Sequence, residues 1–306
     1  MPTPDDSVVR MAGPWVHRDV SANGARFHVA ELGDGPLVLL LHGFPEFWWA
    51  WRYQMASLAA AGYRAVGMDL RGYGGSDKTP RGYDPFTLSL DVTGLVRSLG
   101  ERDAVLVGHG WGGFLGWTTA ALHPKVVRQL AVVSMPHPRR LRAALTSDPR
   151  QMRASAYALG FQAPMLPERA LVRHDGALVG RLLRAWAARG WPDAETEHRY
   201  RAAVRIPGVA HCALEYHRWA VRSIPRPDGI RFAAHMRAPI RVPVLHLHGA
   251  LDGSLRPSSA QGSGRYVEAP YRSRLLDGVG HFPHEEAPGV FDTELLGWLA
   301  DPEPGR

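Results

Sequence analysis

A short apolar run, Asp103-Ala104-Val105-Leu106-Val107, passes through Gly108-His109-Gly110-Trp111-Gly112 into a stretch with helical spacing from Gly113 to His123. Glycines at alternate positions between a strand and a helix make a turn sharp enough to lift one residue clear of the sheet. That turn constrains the chain to an α/β architecture, because a buried strand must be covered by the helix that follows it. The lifted position is where a nucleophile belongs, since attack on a substrate needs an electron pair on an exposed side chain. Here it is Gly110, which has no side chain.

The same alternation runs through the first third of the chain. His17 to Ser21 and Ala25 to Glu31 read as a strand pair joined by the turn Asn23-Gly24. Leu37 to Leu41 is an unbroken apolar strand, as expected where helices cover both faces of a sheet. Phe47 to Ala61 has helical spacing and stops at Gly62, and Ala65 to Leu70 is the next strand. The loop Arg71-Gly72-Tyr73-Gly74-Gly75-Ser76-Asp77 follows, then a helix from Thr87 to Leu99 with Asp91 and Arg97 expected on its outer face. Leu130 to Ser134 is a further strand. From Met135 to about Pro239 only helical patterns and proline breaks are seen. Val242 to His248 resumes the sheet, Arg272 to Leu276 is the last strand, Val290 to Leu299 a closing helix, and Asp301 to Arg306 a frayed end. The expected fold is α/β: a doubly wound, mostly parallel sheet whose two halves, residues 1–135 and 241–306, are separated by a helical lid at residues 136–240.

Composition narrows the class. Hydrophobic residues make up 45% of the 306, and no apolar run approaches the ~20 residues that span a bilayer. Met1 to Asp6 has no signal-peptide pattern, and the single cysteine, Cys212, cannot form an internal disulfide, so a cytoplasmic setting is expected. The net charge of +7 is carried almost wholly by arginine, concentrated between Pro136 and His235. No zinc-finger spacing, RNA-recognition signature or basic run with interleaved aromatics accompanies it, so the reading is a solvated arginine-rich face and no nucleic-acid or membrane partner. Oligomeric state has no signature.

Four clusters fall at strand ends, where an open α/β sheet forms its binding crevice. After Leu41 comes His42-Gly43-Phe44-Pro45-Glu46, followed by the aromatics Phe47, Trp48, Trp49 and Trp51. The Phe44 N–H can turn into the crevice there, and the Trp111 N–H opens the helix after the elbow; together they suit a developing oxyanion. The remaining clusters are Gly249-Ala250-Leu251-Asp252 and Gly278-Val279-Gly280-His281-Phe282-Pro283-His284-Glu285-Glu286. Elbow, acid, histidine is the catalytic order of the α/β hydrolases.

With these motifs the chain resembles the epoxide-hydrolase branch of the α/β-hydrolase superfamily over roughly Val16 to Leu299. His42-Gly43-Phe44-Pro45-Glu46 looks like that branch's oxyanion motif, and Asp69-Leu70-Arg71-Gly72-Tyr73-Gly74-Gly75-Ser76-Asp77 looks like its loop after the fourth strand. Haloalkane dehalogenases share the core and fit less well. The resemblance implies Asp252 as the acid, His281 as the general base, Phe44 and Trp111 as oxyanion donors, and no cofactor or metal. It also implies two lid tyrosines that hydrogen-bond the epoxide oxygen, which fall on Tyr157 and Tyr216; the rival reading makes both ordinary half-buried lid residues. Trp48 and Trp49 are expected to line an apolar pocket for a small-molecule substrate.

Gly110 departs from the pattern, which has Asp there to form an ester intermediate. Three explanations stay open: a knocked-out enzyme, a non-catalytic binder of small apolar ligands on a hydrolase scaffold, or hydrolysis by water that fills the vacated volume and is activated by His281 and Asp252. Ser134, Glu46 and Cys212 are the candidate replacement nucleophiles, each better explained structurally. The cluster His281, His284, Glu285, Glu286 lacks a helical metal-ligand spacing, and His109 is expected to pack beneath the turn. Retention of the acid and histidine favours the enzyme over the binder; a scaffold protein is suggested only by surface arginines.

Overall fold

In the computed structural model, which describes residues 3–301, eight strands form one sheet in the order β1-β2-β4-β3-β5-β6-β7-β8. These are β1 (Val16–Ala22), β2 (Ala25–Leu32), β3 (Leu37–Leu41), β4 (Arg64–Met68), β5 (Ala104–His109), β6 (Val127–Val133), β7 (Val244–Gly249) and β8 (Tyr271–Leu276). β1 and β2 pair antiparallel, β2 joins β4 antiparallel, and every other pairing is parallel. Of the expected loose end Asp301 to Arg306, residues 302–306 lie outside the described residues; Asp301 accepts from Arg272 Nη2 at 2.9 Å.

Local chemistry explains the elements. Ala22 faces Ala25 across a two-residue turn, with Asn23 at φ 45° and Gly24 at φ 72°, the primed-turn geometry that matches strand twist. The strands with continuous apolar runs are the central ones: every residue of β3, β5 and β7 is buried. Helix α1 (Arg52–Ala60) ends before Gly62, and α2 (Pro85–Ser98) starts with Asp84 accepting from Thr87 N at 3.0 Å and Pro85 in its first turn. Helix α3 (Trp111–Leu122) follows β5 directly.

Between β6 and β7 lies a helical insert: α4 (Pro138–Ser147), α5 (Pro149–Ala154), α6 (Tyr157–Gly160), α7 (Leu166–Trp186, broken at Arg173 to Gly176), α8 (Ala194–Arg205), α9 (Val209–Arg222) and α10 (Pro227–His235). No strand interrupts it among the described residues. Several hydrogen bonds tie the insert to the sheet's loops; among them Trp186 O accepts from Gly253 N at 3.2 Å and from His281 N at 3.0 Å, and Gln151 Nε2 donates to Ser254 O at 3.0 Å. No described helix is long and apolar enough to cross a membrane.

One expectation fails in α2. Arg97 is exposed, but Asp91 is buried and faces inward, because Arg71 of the loop after β4 reaches it. Arg71 Nε and Nη2 donate to the two Asp91 oxygens at 2.7 and 2.5 Å, and Asn23 Nδ2 adds a bond of 2.7 Å. The pair ties hairpin, loop and helix together. Removing one partner of a buried pair strands the other charge, so Asp91→Ala should cost about 3–5 kcal/mol in urea unfolding. Loss of less than ~1 kcal/mol would mean that solvent reaches Arg71 readily.

Candidate functional site

The sheet order reverses direction at β3, which has β4 on one side and β5 on the other. The loops leaving β3 and β5 therefore part at one crevice, the usual ligand position in such sheets. Gly110 lies in it at φ 51°, ψ −117°, with its N–H bonded to Val133 O at 3.1 Å and its carbonyl accepting from Phe114 N at 2.9 Å. The three alternate glycines differ in why they are glycine. A Cβ on Gly108 would fall 2.3 Å from Gly112 O, and one on Gly112 would fall 2.0 Å from Leu41 O, so close backbone approach fixes both. A Cβ on Gly110 would meet only Gly43 Cα at 3.5 Å and His281 Nε2 at 3.9 Å, which is ordinary contact. Space at the elbow admits a side chain; only the positive φ favours glycine.

His281 stands opposite that space. Its Nδ1 lies 2.8 Å from Asp252 Oδ2, and Asp252 also accepts from Ser254 N and Leu255 N at 2.8 Å each and lies 3.2 Å from His248 Nε2. Burial raises the Asp252 pKa, but His281 and His248 outweigh it and hold the carboxylate well below its ordinary range. An ionised Asp252 keeps the His281 proton on Nδ1 and leaves Nε2 with a free pair facing Gly110. The dyad expected at Asp252 and His281 is assembled.

A cavity of about 200 Å³ opens from this point, lined by Phe44, Gly110, Trp111, Tyr157, Trp186, His217 and His281, with aliphatic side chains further out. Of the residues named from sequence, Phe44, Trp111 and Tyr157 lie on its wall. Trp111 is the first residue of α3, so its N–H has no intrahelical acceptor. The Tyr157 hydroxyl is 3.5 Å from Ser254 Oγ, and burial raises its pKa, so the phenol is protonated at neutral pH.

Tyr216 is not where the sequence reading put it. Its hydroxyl donates to Arg71 O at 2.8 Å, its ring packs on Tyr73 and Tyr83, and it does not line the cavity. Helical periodicity gives the reason: His217, Ala220 and Val221 form the cavity-facing stripe of α9, continued by Ile224 just past its end, and Tyr216 lies on the neighbouring face. His217 occupies the wall instead. Its Nε2 accepts from Trp111 Nε1 at 3.2 Å and its Nδ1 donates to Ala213 O at 3.2 Å, an arrangement only the neutral ring can make. Burial takes its pKa down to about 4.

Trp48 and Trp49 are also displaced from their expected place. Trp48 is buried with Nε1 donating to Val9 O at 2.7 Å, Trp49 packs under the Arg52 guanidinium at 3.5 Å, and neither lines the cavity. The short 3₁₀ turn Trp48–Trp51 points them into the core rather than towards the crevice. Ser134, Cys212 and Glu46 are buried and absent from the cavity wall.

Beneath the crevice His109 packs under the turn, in a cluster whose other contacts the sequence reading missed. Glu46 Oε2 accepts from Gly43 N at 2.9 Å and lies 2.7 Å from His109 Nδ1, while His109 Nε2 lies 2.8 Å from His281 O. Burial lowers the His109 pKa, but Glu46 and the His281 carbonyl outweigh it and raise it, which fits a cation donating from both nitrogens. The oxyanion-side loop, the elbow strand and the histidine loop are thus held by one imidazolium. Glu46, His109 and His284 have ligand atoms within 4.8 Å of one another, a spacing that suits a metal. Donation by both His109 nitrogens leaves that ring no pair to offer. Glu at the end of the first strand-end motif and His between the elbow glycines were the available signals, since both are polar residues at positions fixed beside a buried turn.

The chain matches the family model of the alpha/beta hydrolase fold over residues 36–288. It is similar to "Epoxide hydrolase 3" of Xenopus tropicalis, at 36% identity over 91% of this chain and 76% of that protein. It is similar also to the AB hydrolase superfamily protein YfhM of Bacillus subtilis, at 36% identity over 92% and 96%. Among solved structures it resembles epoxide hydrolase VrEH1 from Vigna radiata, with a TM-score of 0.80 and 27% identity over 94% of this chain and 98% of that one.

Proposed function

Because the chain belongs to the α/β-hydrolase family, in its epoxide-hydrolase-like branch, we propose that it opens small apolar epoxides without a covalent ester, using an oxygen nucleophile activated by His281 and oriented by Asp252. The observation that carries this reading is the free His281 Nε2, 3.9 Å from where a Cβ of residue 110 would be, in a cavity with a protonated Tyr157 on its wall. In the simplest route, water beside Gly110 gives its proton to His281 as it attacks the epoxide carbon. Tyr157 donates to the epoxide oxygen, so that the leaving alkoxide is neutralised as the C–O bond breaks. The N–H groups of Phe44 and Trp111 stabilise negative charge on the reacting oxygens. The helical insert, residues 136–240, serves as a lid that supplies Tyr157, Trp186 and His217 and excludes bulk water.

Only one phenol is available for polarisation in this scheme, because Tyr216 is committed to Arg71. Turnover is therefore slow: binding and preorganised donors alone leave a residual ~10³–10⁴-fold acceleration in enzymes stripped of their nucleophile. The test is styrene oxide in ¹⁸O-water under single-turnover conditions. Diol that carries solvent label from the first turnover, with no protein-bound adduct by mass spectrometry, supports direct attack. An adduct on a carboxylate overturns it in favour of a relocated nucleophile, and retained epoxide with no diol overturns it in favour of a binder.

A further inference from the structure

The cavity in front of His281 is largely apolar: Phe44, Trp111, Phe114, Met135, Trp186 and Leu255 are among the side chains that line it with Gly110. Apart from His281 Nε2, its polar side chains have partners within the protein. His217 spends Nε2 on Trp111 and Nδ1 on Ala213, Ser155 Oγ accepts from Gln151 Nε2 at 2.8 Å, and Ser254 Oγ faces Tyr157. His281 Nε2 is thus a base with room in front of it, at the end of an apolar cavity. An alcohol oxygen tethered to a bound substrate is delivered to that space by the apolar body of the ligand, and tethering replaces a bimolecular encounter. Leu141, Leu145, Val221 and Ile224 extend the cavity away from the dyad and give that body a place to lie.

We propose that the preferred substrate brings its own nucleophile: an apolar epoxide bearing a hydroxyl positioned to close a five- or six-membered ring, which this site isomerises to a cyclic ether. The proposal rests on the epoxide-opening reading above and specifies the substrate class. The substrate hydroxyl gives its proton to His281 Nε2 and its oxygen forms the new C–O bond. The epoxide C–O bond breaks, its electron pair goes to the former ring oxygen, and Tyr157 protonates that oxygen. The imidazolium proton then returns to the phenolate through solvent. No water is consumed, and nothing is oxidised or reduced. The missing side chain at Gly110 has a use in this reaction, since the attacking hydroxyl occupies the vacated space.

The test compares a phenyl-substituted 4,5-epoxypentan-1-ol with its O-methyl ether, which cannot cyclise, both in ¹⁸O-water. The expected result is an unlabelled, enantioenriched tetrahydrofuran carbinol, formed at least ~10-fold faster than diol from the methyl ether, an advantage well within what tethering supplies. Cyclisation should stop in His281→Ala and in His281→Gln, the second chosen to keep the ring's volume and the fold. Labelled triol at the same rate as the methyl-ether diol would overturn cyclisation and leave epoxide hydrolysis standing. No reaction of either substrate would overturn both, and ring closure that persists in the His281 variants would show that the site does not drive it.

Discussion

Gly110→Asp should raise the rate of epoxide opening by ~10³-fold or more and should convert the reaction to one with a trappable ester, because it supplies a covalent step that the proposed direct-attack route does without. Space does not oppose the change: the new Cβ meets Gly43 Cα at 3.5 Å and His281 Nε2 at 3.9 Å. Backbone conformation does. At φ 51°, ψ −117° a side chain costs roughly 1–3 kcal/mol, so the gain in rate should be accompanied by a fall in Tm. The variant is thus expected to trade stability for activity, with strain held in place by the Gly110 N–H bond to Val133 O and by the start of α3. Burst kinetics with styrene oxide and a mass shift on the peptide spanning residue 110 are the readouts. Equal rates in the two proteins would mean that the wild-type chain already has an efficient nucleophile and would sink the direct-attack scheme.

The sheet was legible in sequence because its central strands are buried on both faces and so read as continuous apolar runs; Leu37 to Leu41 could be read without ambiguity. The turn residues were legible for the same kind of reason, as the Asn23-Gly24 backbone shows. Asp91 was misread because amphipathic spacing sees only one helix. Its buried partner, Arg71, comes from a loop 20 residues away. The site residues divide along the same line. Those that follow a strand end, such as Asp252, His281, Phe44 and Trp111, were placed at one crevice, since their position follows from topology. Those fixed by the rotation of a helix over the sheet were not: a one-residue difference on α9 turns Tyr216 towards Arg71 and gives His217 the cavity wall. Sequence alone does not say which face of α9 meets the ligand; in the structure it is the one that bears His217, Ala220 and Val221. Trp48 and Trp49 show the converse error, where aromatic composition was taken for a pocket and the residues are core.

Asp252→Asn should lower epoxide opening by roughly 10²–10⁴-fold while leaving the protein folded at neutral pH. The amide can keep its carbonyl on Ser254 N and Leu255 N, which leaves its NH₂ facing His281 Nδ1 and the neighbouring His248. An NH₂ needs an acceptor there, so the His281 proton moves to Nε2, the nitrogen that must be free to take one. The base is lost through its tautomer, without any change in shape. A kcat that falls while KM stays level is the expected signature, and a parallel rise in KM with unchanged kcat would instead assign Asp252 to ligand binding. Stability gives an independent check. The folded-state pKa of Asp252 is depressed below the ordinary 3.8 by His281 and His248 against the cost of burial, so its stabilisation is present above about pH 4 and is lost as pH falls through the lower folded value. The Tm difference between wild type and Asp252→Asn should accordingly be largest near neutrality, narrow progressively below about pH 4, and vanish in strong acid. A gap that stays constant down to pH 2 would mean that the carboxylate's charge contributes nothing to the fold, and the ionised Asp252 on which the His281 tautomer depends would have to be given up.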